Sequence, residues 1–308
     1  MTETNTNGDT PVHVAMMNLL WPRDGLPVQD FWDYWVGAHT QISSRLPAIH
    51  QYFQHQLDPD GGRLFPSLGD TVTHEYESDE LFHGDAEITF LTPDDLARFA
   101  AALNPLMQDE RNVFSKTISY QAKDRNTRTF KDATQDDSPN GDLGGEQKFM
   151  LYLRKRDDVE LDEFRRTLID DIGSALAALD TVLKVRIRLL EFYDNDAVTL
   201  LAPNVSNWED PAKQYQGCIE IVFSGALARQ EFALSTDWSA IAVRLAAVVR
   251  TVHRQQALRT FTVYNHGKVT LAGLRTPQMA DQIKRLGAIN QKGSEVISLI
   301  LREHTNYQ

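Results

Sequence analysis

The feature of this 308-residue chain that most restricts its fold is that it repeats itself at an offset of 133 residues. That shift lays Met17, Leu20, Arg23 and Asp24 over Met150, Leu153, Arg156 and Asp157. It also superposes Phe31 on Phe164, Leu46 on Leu179, the set Gly84, Glu87, Ile88 and Phe90 on Gly217, Glu220, Ile221 and Phe223, and Phe99 on Phe232. One ungapped shift that serves several separated segments marks a duplication, so the fold must be one that two copies can build together. After Phe232 the second copy is expected to carry about ten extra residues before its last strand.

Within the first copy, Val12 to Trp21 is an apolar run of strand length ended by the turn Pro22 to Gly25. Phe31, Tyr34, Trp35, Ala38, Ile42 and Leu46 recur at helical spacing until Pro47 stops them. Ile49 to Leu57 and Asp85 to Leu91 read as strands. Pro93 to Met107 reads as a helix capped by Thr92, and Ser115 to Ala122 as the last strand. The order is βαββαβ, the ferredoxin-like split arrangement of the α+β class. The second copy is expected to repeat it with strands Lys148 to Arg156, Leu183 to Phe192, Gly217 to Ser224 and Thr260 to Asn265, and with a long helical stretch from Ala226 to Leu258. The expected organisation is a first repeat over 1–126, an exposed Gly-, Asp- and Pro-rich linker over 127–146, a second repeat over 147–275 and a helical extension over 276–308. Met16, Met17, Leu19 and Leu20 make the first strand apolar on both faces, although its helices can cover only one. The uncovered faces of the two copies therefore meet, enclosing a cavity in an intramolecular pseudo-dimer.

Composition narrows the partners. With 31 Lys+Arg against 43 Asp+Glu and a net charge of -12, nucleic acid and anionic membranes are repelled on average. Cys218 is the one cysteine, which excludes an intrachain disulfide and a multi-cysteine metal site and points to a reducing compartment. The polar opening segment has no signal-peptide pattern and no apolar run reaches membrane-span length, so a cytoplasmic protein is expected. Phosphate-loop, dinucleotide, zinc-protease and hydrolase-elbow motifs are absent, and no metal site is expected.

Several stretches of the first copy together resemble the EthD-like branch of the dimeric α+β barrel proteins. They are Phe31-Trp-Asp-Tyr34-Trp35-Val-Gly-Ala-His39, Leu46-Pro-Ala-Ile-His-Gln-Tyr52-Phe-Gln-His55, Gly84-Asp-Ala-Glu87-Ile-Thr-Phe90 and Asp109-Glu-Arg-Asn-Val-Phe114, covering about the first 125 residues. The second copy keeps the fold pattern but replaces Tyr34, His39 and His55 with Thr167, Ile172 and Arg188, so the resemblance places catalysis mainly in the first copy. It implies a barrel for small, often hydrophobic molecules. Relatives include proteins of xenobiotic breakdown, dehydratases or decarboxylases of aromatic polyketides, monooxygenases and, in distant branches, haem enzymes.

Six of the nine histidines lie within the first 83 residues, and imidazole is the usual proton-transfer group near neutral pH. His39, one turn after Trp35, and His55 are the candidate acid–base groups, with Glu87 to orient or replace them. Alternation sets Gln51, Phe53 and His55 on one face of their strand. In the second copy Lys184, Arg186 and Arg188 take the same face, opposite an apolar face of Leu183, Val185, Ile187 and Leu189. That basic stripe either points into the barrel, to hold a carboxylate, phenolate or enolate, or forms a solvated edge. Glu87 and Glu220 recur at equivalent positions and either face the cavity or close the seam between copies. The long segment Pro59 to His83 reads as a lid carrying His74 or as a plain surface loop. Tyr34, Trp35, Phe53, His74, Arg186 and Arg188 complete the expected substrate-binding set.

The function expected from this is a cofactor-independent lyase that works by proton transfer on a small aromatic or hydrophobic carbonyl or acidic substrate. The alternatives are a non-catalytic accessory barrel and a haem-dependent oxidoreductase, since a single axial imidazole leaves no spacing signature. The chain is expected to act as a monomeric pseudo-dimer or a homodimer.

Overall fold

The computed structural model describes residues 12–123, 126–134, 139–197 and 202–301. The strands are β1 (Val14–Pro22), β2 (Gln51–Asp58), β3 (Gly84–Phe90), β4 (Phe114–Lys123), β5 (Thr127–Asp132), β6 (Gln147–Lys155), β7 (Val182–Leu189), β8 (Gly217–Phe223), β9 (Val249–Asn265) and the short β10 (Lys268–Val269). In each repeat a helix crosses from the first strand to the second, and further helices lead to the last strand. Both crossover helices contain a π-helical stretch at the equivalent place, Trp35–His39 and Thr167–Gly173. Its recurrence where the sequences differ makes it an inherited feature of the duplicated helix. Helix Pro93–Ala101 starts where its residues dictate, with Pro93 in the first turn and the Thr92 hydroxyl accepting from the Asp95 amide. The glycine that opens β3 and β8 is explained by the same helices. A Cβ on Gly84 would meet the Trp35 ring at 2.9 Å, and one on Gly217 would meet Leu168 at 3.0 Å.

The strands form one antiparallel sheet in the order β4-β1-β3-β2-β9-β6-β8-β7-β5, with β10 on the end of β9. Its two ends are consecutive in the chain. Backbone bonds of 2.8 Å from Glu191 N to the Gln121 carbonyl and from Leu189 N to the Asn126 carbonyl join them, so the sheet closes into a barrel. Each repeat's last strand starts on its own sheet and finishes on the other's. β9 pairs β6 through Ala257 and then β2 from Gln256 onward, while β4 pairs β1 and β5 pairs β7. The duplication is legible in the register: His55 lies opposite Thr260, and Arg188 lies opposite Thr127.

This register corrects two sequence expectations. The second copy has no extra residues before its last strand, because helix Thr236–Val248 ends and β9 begins at Val249. Thr260 to Asn265 is the second half of that strand and corresponds to β5, which lies inside the segment expected to be an exposed linker. Polarity misled in both places: Thr127 to Asp132 is half-exposed, and the run Thr251 to Gln256 places Thr251, His253 and Gln255 inside a barrel.

Val14, Leu20, Tyr52, Ile88 and Phe90 pack under the first repeat's helices. Phe149, Leu151, Val185, Ile187 and Ile221 pack under the second's. The opposite faces of both repeats meet in a shared interior cluster that includes Met17, Leu19, Tyr120, Met150, Tyr152 and Cys218.

The segments joining second and third strands are not lids. Phe65, Leu68 and Val72 of the first are buried in the second repeat's helix-side core, and Phe82 packs with Trp21 and Tyr152 inside the barrel. Reciprocally, Ala202 and Val205 enter the first repeat's core. Thr73 and Ser206 each bond the last strand of the other repeat. These exchanged arms tie the halves together. The tail is helical over Leu271–Arg275, Pro277–Leu286 and Ser294–Leu301. No helix among the described residues is long and apolar enough to cross a membrane.

Candidate functional site

Alternation along β2, β3, β7 and β8 points His55, Glu87, Arg186, Arg188 and Glu220 into the barrel, which settles the basic stripe as interior. Glu87, Arg188 and Glu220 are essentially without solvent contact. Arg186 reaches Glu87 at 2.6 Å through Nη2 and Glu220 at 3.0 Å through Nε. Arg188 Nε donates to Glu87 Oε1 at 3.1 Å, and its Nη2 bonds both Glu87 and Glu220. Lys148 and Lys184 approach the other oxygen of Glu220 at 3.5 and 3.4 Å. Burial alone would raise both carboxyls, but the arginines beside Glu87, and the lysines and arginines around Glu220, outweigh it and hold both well below the carboxylate range. Glu87 is therefore a permanent anion rather than a carboxyl raised by apolar surroundings, because its surroundings are cationic. Removing one partner from such a cluster leaves an uncompensated buried charge, at a cost of about 3–5 kcal/mol.

Beside this cluster, at one end of the barrel, is a cavity of about 40 Å³. Phe53, His55, Lys148, Lys184, Arg186, Glu220 and Thr260 line it, and Thr134, Leu143 and Glu146 of the segment between the repeats close it. The space seats a carboxylate-sized group. His55 is buried; its Nδ1 is 3.0 Å from the Thr260 hydroxyl, which also accepts from Lys148 Nζ at 3.1 Å. Among the described residues its Nε2 has no hydrogen-bond partner, and it lies 3.9 Å from Glu87 Oε2, too far for a bond but within electrostatic reach. Burial lowers the His55 pKa, against the opposing pull of Glu87, so the imidazole is neutral at neutral pH. A neutral base, an adjacent carboxylate and cations around one small cavity can move a proton and hold the negative charge left behind.

The other expected site residues lie elsewhere. His39 bonds Asp109 at 2.9 Å through Nδ1, Tyr34 donates to the other Asp109 oxygen at 2.7 Å, and Asn112 donates to Asp109 at 2.9 Å. His39 stands edge-on to Phe114, which belongs with Trp35 to the helix-side core, so the sheet separates this group from His55 and Glu87. His39, Tyr34 and Trp35 are thus not at the cavity, because a helix crossing outside a barrel presents its apolar stripe to the outer face of the sheet. His74 is on the arm, accepting from the Leu68 amide at 3.1 Å, and lines a different cleft. Phe53, His55 and Arg186 border the cavity; Glu87 and Arg188 stand behind it. The ionisable groups are also not confined to the first repeat: Lys148, Lys184, Arg186, Arg188 and Glu220 all come from the second.

Sequence reasoning missed Lys148, Thr260 and Asp85. Alternation from Met150 would have turned Lys148 inward, and the 133 shift would have paired Thr260 with Thr127 had the last strand been recognised. Asp85 accepts from the Tyr152 hydroxyl at 2.7 Å, and burial pushes its carboxyl up to about 7.

A haem does not fit these residues. Small-molecule pockets occupy roughly 300–1,000 Å³, whereas the cavity at the unpartnered His55 nitrogen is about 40 Å³ and is ringed by charged side chains.

Residues 23–117 match the family described as the EthD domain. No curated protein matches the chain. Among solved structures it is similar to a candidate monooxygenase from Fusobacterium nucleatum at 7% identity and a TM-score of 0.50, covering 85% of this chain and 99% of that one. A candidate monooxygenase from Lactobacillus acidophilus aligns at 11% identity and a TM-score of 0.46 over 82% of this chain and 97% of that one. An anthrone oxidase-like protein aligns at 13% identity and 0.48, over 82% and 94%. The Fusobacterium likeness shows the fold, in which two ferredoxin-like repeats make one α+β barrel.

Proposed function

We propose, from a first repeat that carries an EthD domain and a barrel closed by its own duplicate, that this protein is a cofactor-independent lyase working by proton transfer. The observation that carries the reading is His55, a buried residue whose Nε2 has no hydrogen-bond partner among the described residues and which lines a cavity that also presents Lys148, Lys184 and Arg186. In this reading His55 takes a proton from a carbon or hydroxyl next to a carbonyl. Glu87, 3.9 Å away, stabilises the imidazolium that results, and the lysines stabilise the enolate or carboxylate oxygen. The substrate is a small carbonyl acid whose head enters the cavity and whose hydrophobic part lies against Phe53 and Leu143. Elimination, decarboxylation and isomerisation all pass through such an anion. The closed sheet leaves no inner face for a second chain to cover, so the proposed active form is the monomer. The buried free thiol of Cys218 suits a cytoplasmic setting.

The test is proton exchange from deuterated solvent into, or decarboxylation of, a panel of aryl-substituted β-keto acids, followed by NMR. His55→Ala is expected to slow the reaction by roughly 10²–10⁴-fold while remaining folded. Lys184→Ala is expected to raise KM more than it lowers kcat. Because the base works only when neutral and its pKa lies below the usual 6.5, the parent rate is expected to hold through neutral pH and fall in acid. A His55→Ala protein as fast as the parent would remove the catalytic reading. One observation favours the second reading, a non-catalytic binding barrel: Arg186 and Arg188 each bond both Glu87 and Glu220, as a structural seam would. Binding of panel compounds without turnover by the parent would support it.

A further inference from the structure

A second cleft, larger than the barrel cavity, lies between the first arm and Arg254 of β9, with a volume of about 280 Å³. Arg254, Tyr76, His74, His83 and Leu81 line it, and Arg63 stands at its rim with Asp60 and Glu75. We propose that this cleft is a binding site for a small aromatic carboxylate, with Arg254 as its anion anchor and Tyr76 as its ring platform.

Arg254 is half-buried, and among the described residues its Nη1 alone is committed, donating to the Phe65 carbonyl at 2.7 Å. Its Nε and Nη2 remain for a ligand, and a guanidinium fork matches a carboxylate. Burial lowers its pKa, the sign of a charge short of compensation. Tyr76 is held rigid from behind: one ring face stacks on His253 with centroids 4.1 Å apart and planes 22° apart, and its hydroxyl donates to the Arg254 carbonyl at 2.9 Å. The buried Nδ1 of His83 has no hydrogen-bond partner among the described residues. Neither Asp60 nor Glu75 forms an ion pair with Arg254; they stand 90% and 84% exposed and pair with Arg63 at 3.9 and 4.0 Å, and the pull of Glu75 on Arg254 does not offset its burial.

The duplication supplies an internal control. The 133 shift carries Arg254, His83, Tyr76 and Leu81 to Gln121, Gln216, Glu209 and Gln214. There the side chains of Glu209, Gln214 and Gln216 are all engaged within the chain. Glu209 pairs with Lys116 at 3.1 Å, Gln214 bonds the backbone of Tyr193 at both ends, and Gln216 accepts from Lys155 N and donates to the Gln214 carbonyl. One half of the molecule satisfies itself at this place, while the other presents a cation, an aromatic face and an unpartnered imidazole nitrogen.

Calorimetric titration of the full chain with benzoate tests this. The expected result is one site, abolished by Leu81→Trp, which fills the cleft from its half-exposed wall, and weakened roughly tenfold or more by Arg254→Gln. Lys184→Ala at the barrel cavity is expected to leave it unchanged, and benzylamine, the same ring with the charge reversed, is expected not to bind. Should Arg254→Gln fail to fold, Leu81→Trp decides alone, with circular dichroism confirming its structure. No heat with benzoate, binding indifferent to Leu81→Trp, loss of binding in Lys184→Ala, or equal binding of benzylamine would each overturn the assignment. The two cavities share no lining residue, so turnover in the proton-exchange assay is expected to survive Leu81→Trp, which keeps the two sites' tests separate.

Discussion

Asp85 and Glu87 enter the barrel from the same face of β3, two residues apart, yet titrate in opposite directions. Glu87 meets two guanidinium groups and stays ionised, whereas burial, helped by the nearby charges of Glu87 and Glu220, lifts Asp85 to about 7 against its bond from Tyr152 and the pull of Arg188. The folded state therefore holds a proton on Asp85 that the unfolded chain, with a carboxyl near 3.8, releases. Its contribution to stability is full below about 3.8 and is lost as the pH rises through about 7. Asp85→Asn keeps an acceptor for Tyr152 and cannot ionise. Relative to that variant, the parent is expected to lose stability from about pH 4 to pH 7, at up to about 1.4 kcal/mol per pH unit, read by chemical denaturation. A constant difference across that range would contradict a protonated Asp85. Strand periodicity was enough to set Phe53 and His55 on one face and Arg186 on the matching face of the other repeat, but not to say that this face is interior. It could not assign charge states, because these depend on which side chains of other strands arrive opposite.

At the scale of elements, the two arms were the least legible parts. Pro59 to His83 reads as a long polar loop, and nothing local says that Phe65, Leu68 and Val72 belong to another repeat's core. Phe65 sits within 5.4–6.3 Å, centroid to centroid, of Phe149, Phe223, Phe232 and Trp238. Phe65→Ala is expected to destabilise the whole protein by about 3–5 kcal/mol in urea denaturation. A cost below about 1 kcal/mol, the scale of an ordinary surface change, would mean that the arm is not a fixed part of the core. The crossover helix shows the opposite case. Its apolar stripe was correctly read as a helix, but His39 on that stripe faces the outer side of the sheet, where it pairs with Asp109. A histidine's place in a helical pattern tells which face is buried, not which cavity it is buried against.

For the whole molecule, strand exchange and arm exchange make each repeat incomplete alone: β5 completes the second repeat's sheet edge, and β9 completes the first's. Thermal unfolding is accordingly expected to give a single calorimetric transition, with equal calorimetric and van't Hoff enthalpies. Two separable transitions would show that the repeats fold independently. The residues alone determined the duplication, the βαββαβ order, the shared face of the basic stripe and the need for each sheet to be covered, because these follow from periodicities that act over a few neighbours, but which way that stripe points was left to the structure. The tertiary structure decided that the sheets close into one ring, that the second repeat supplies most of the site's charge and that His39 stands apart from it. Those outcomes depend on contacts between segments more than a hundred residues apart, which no local pattern encodes.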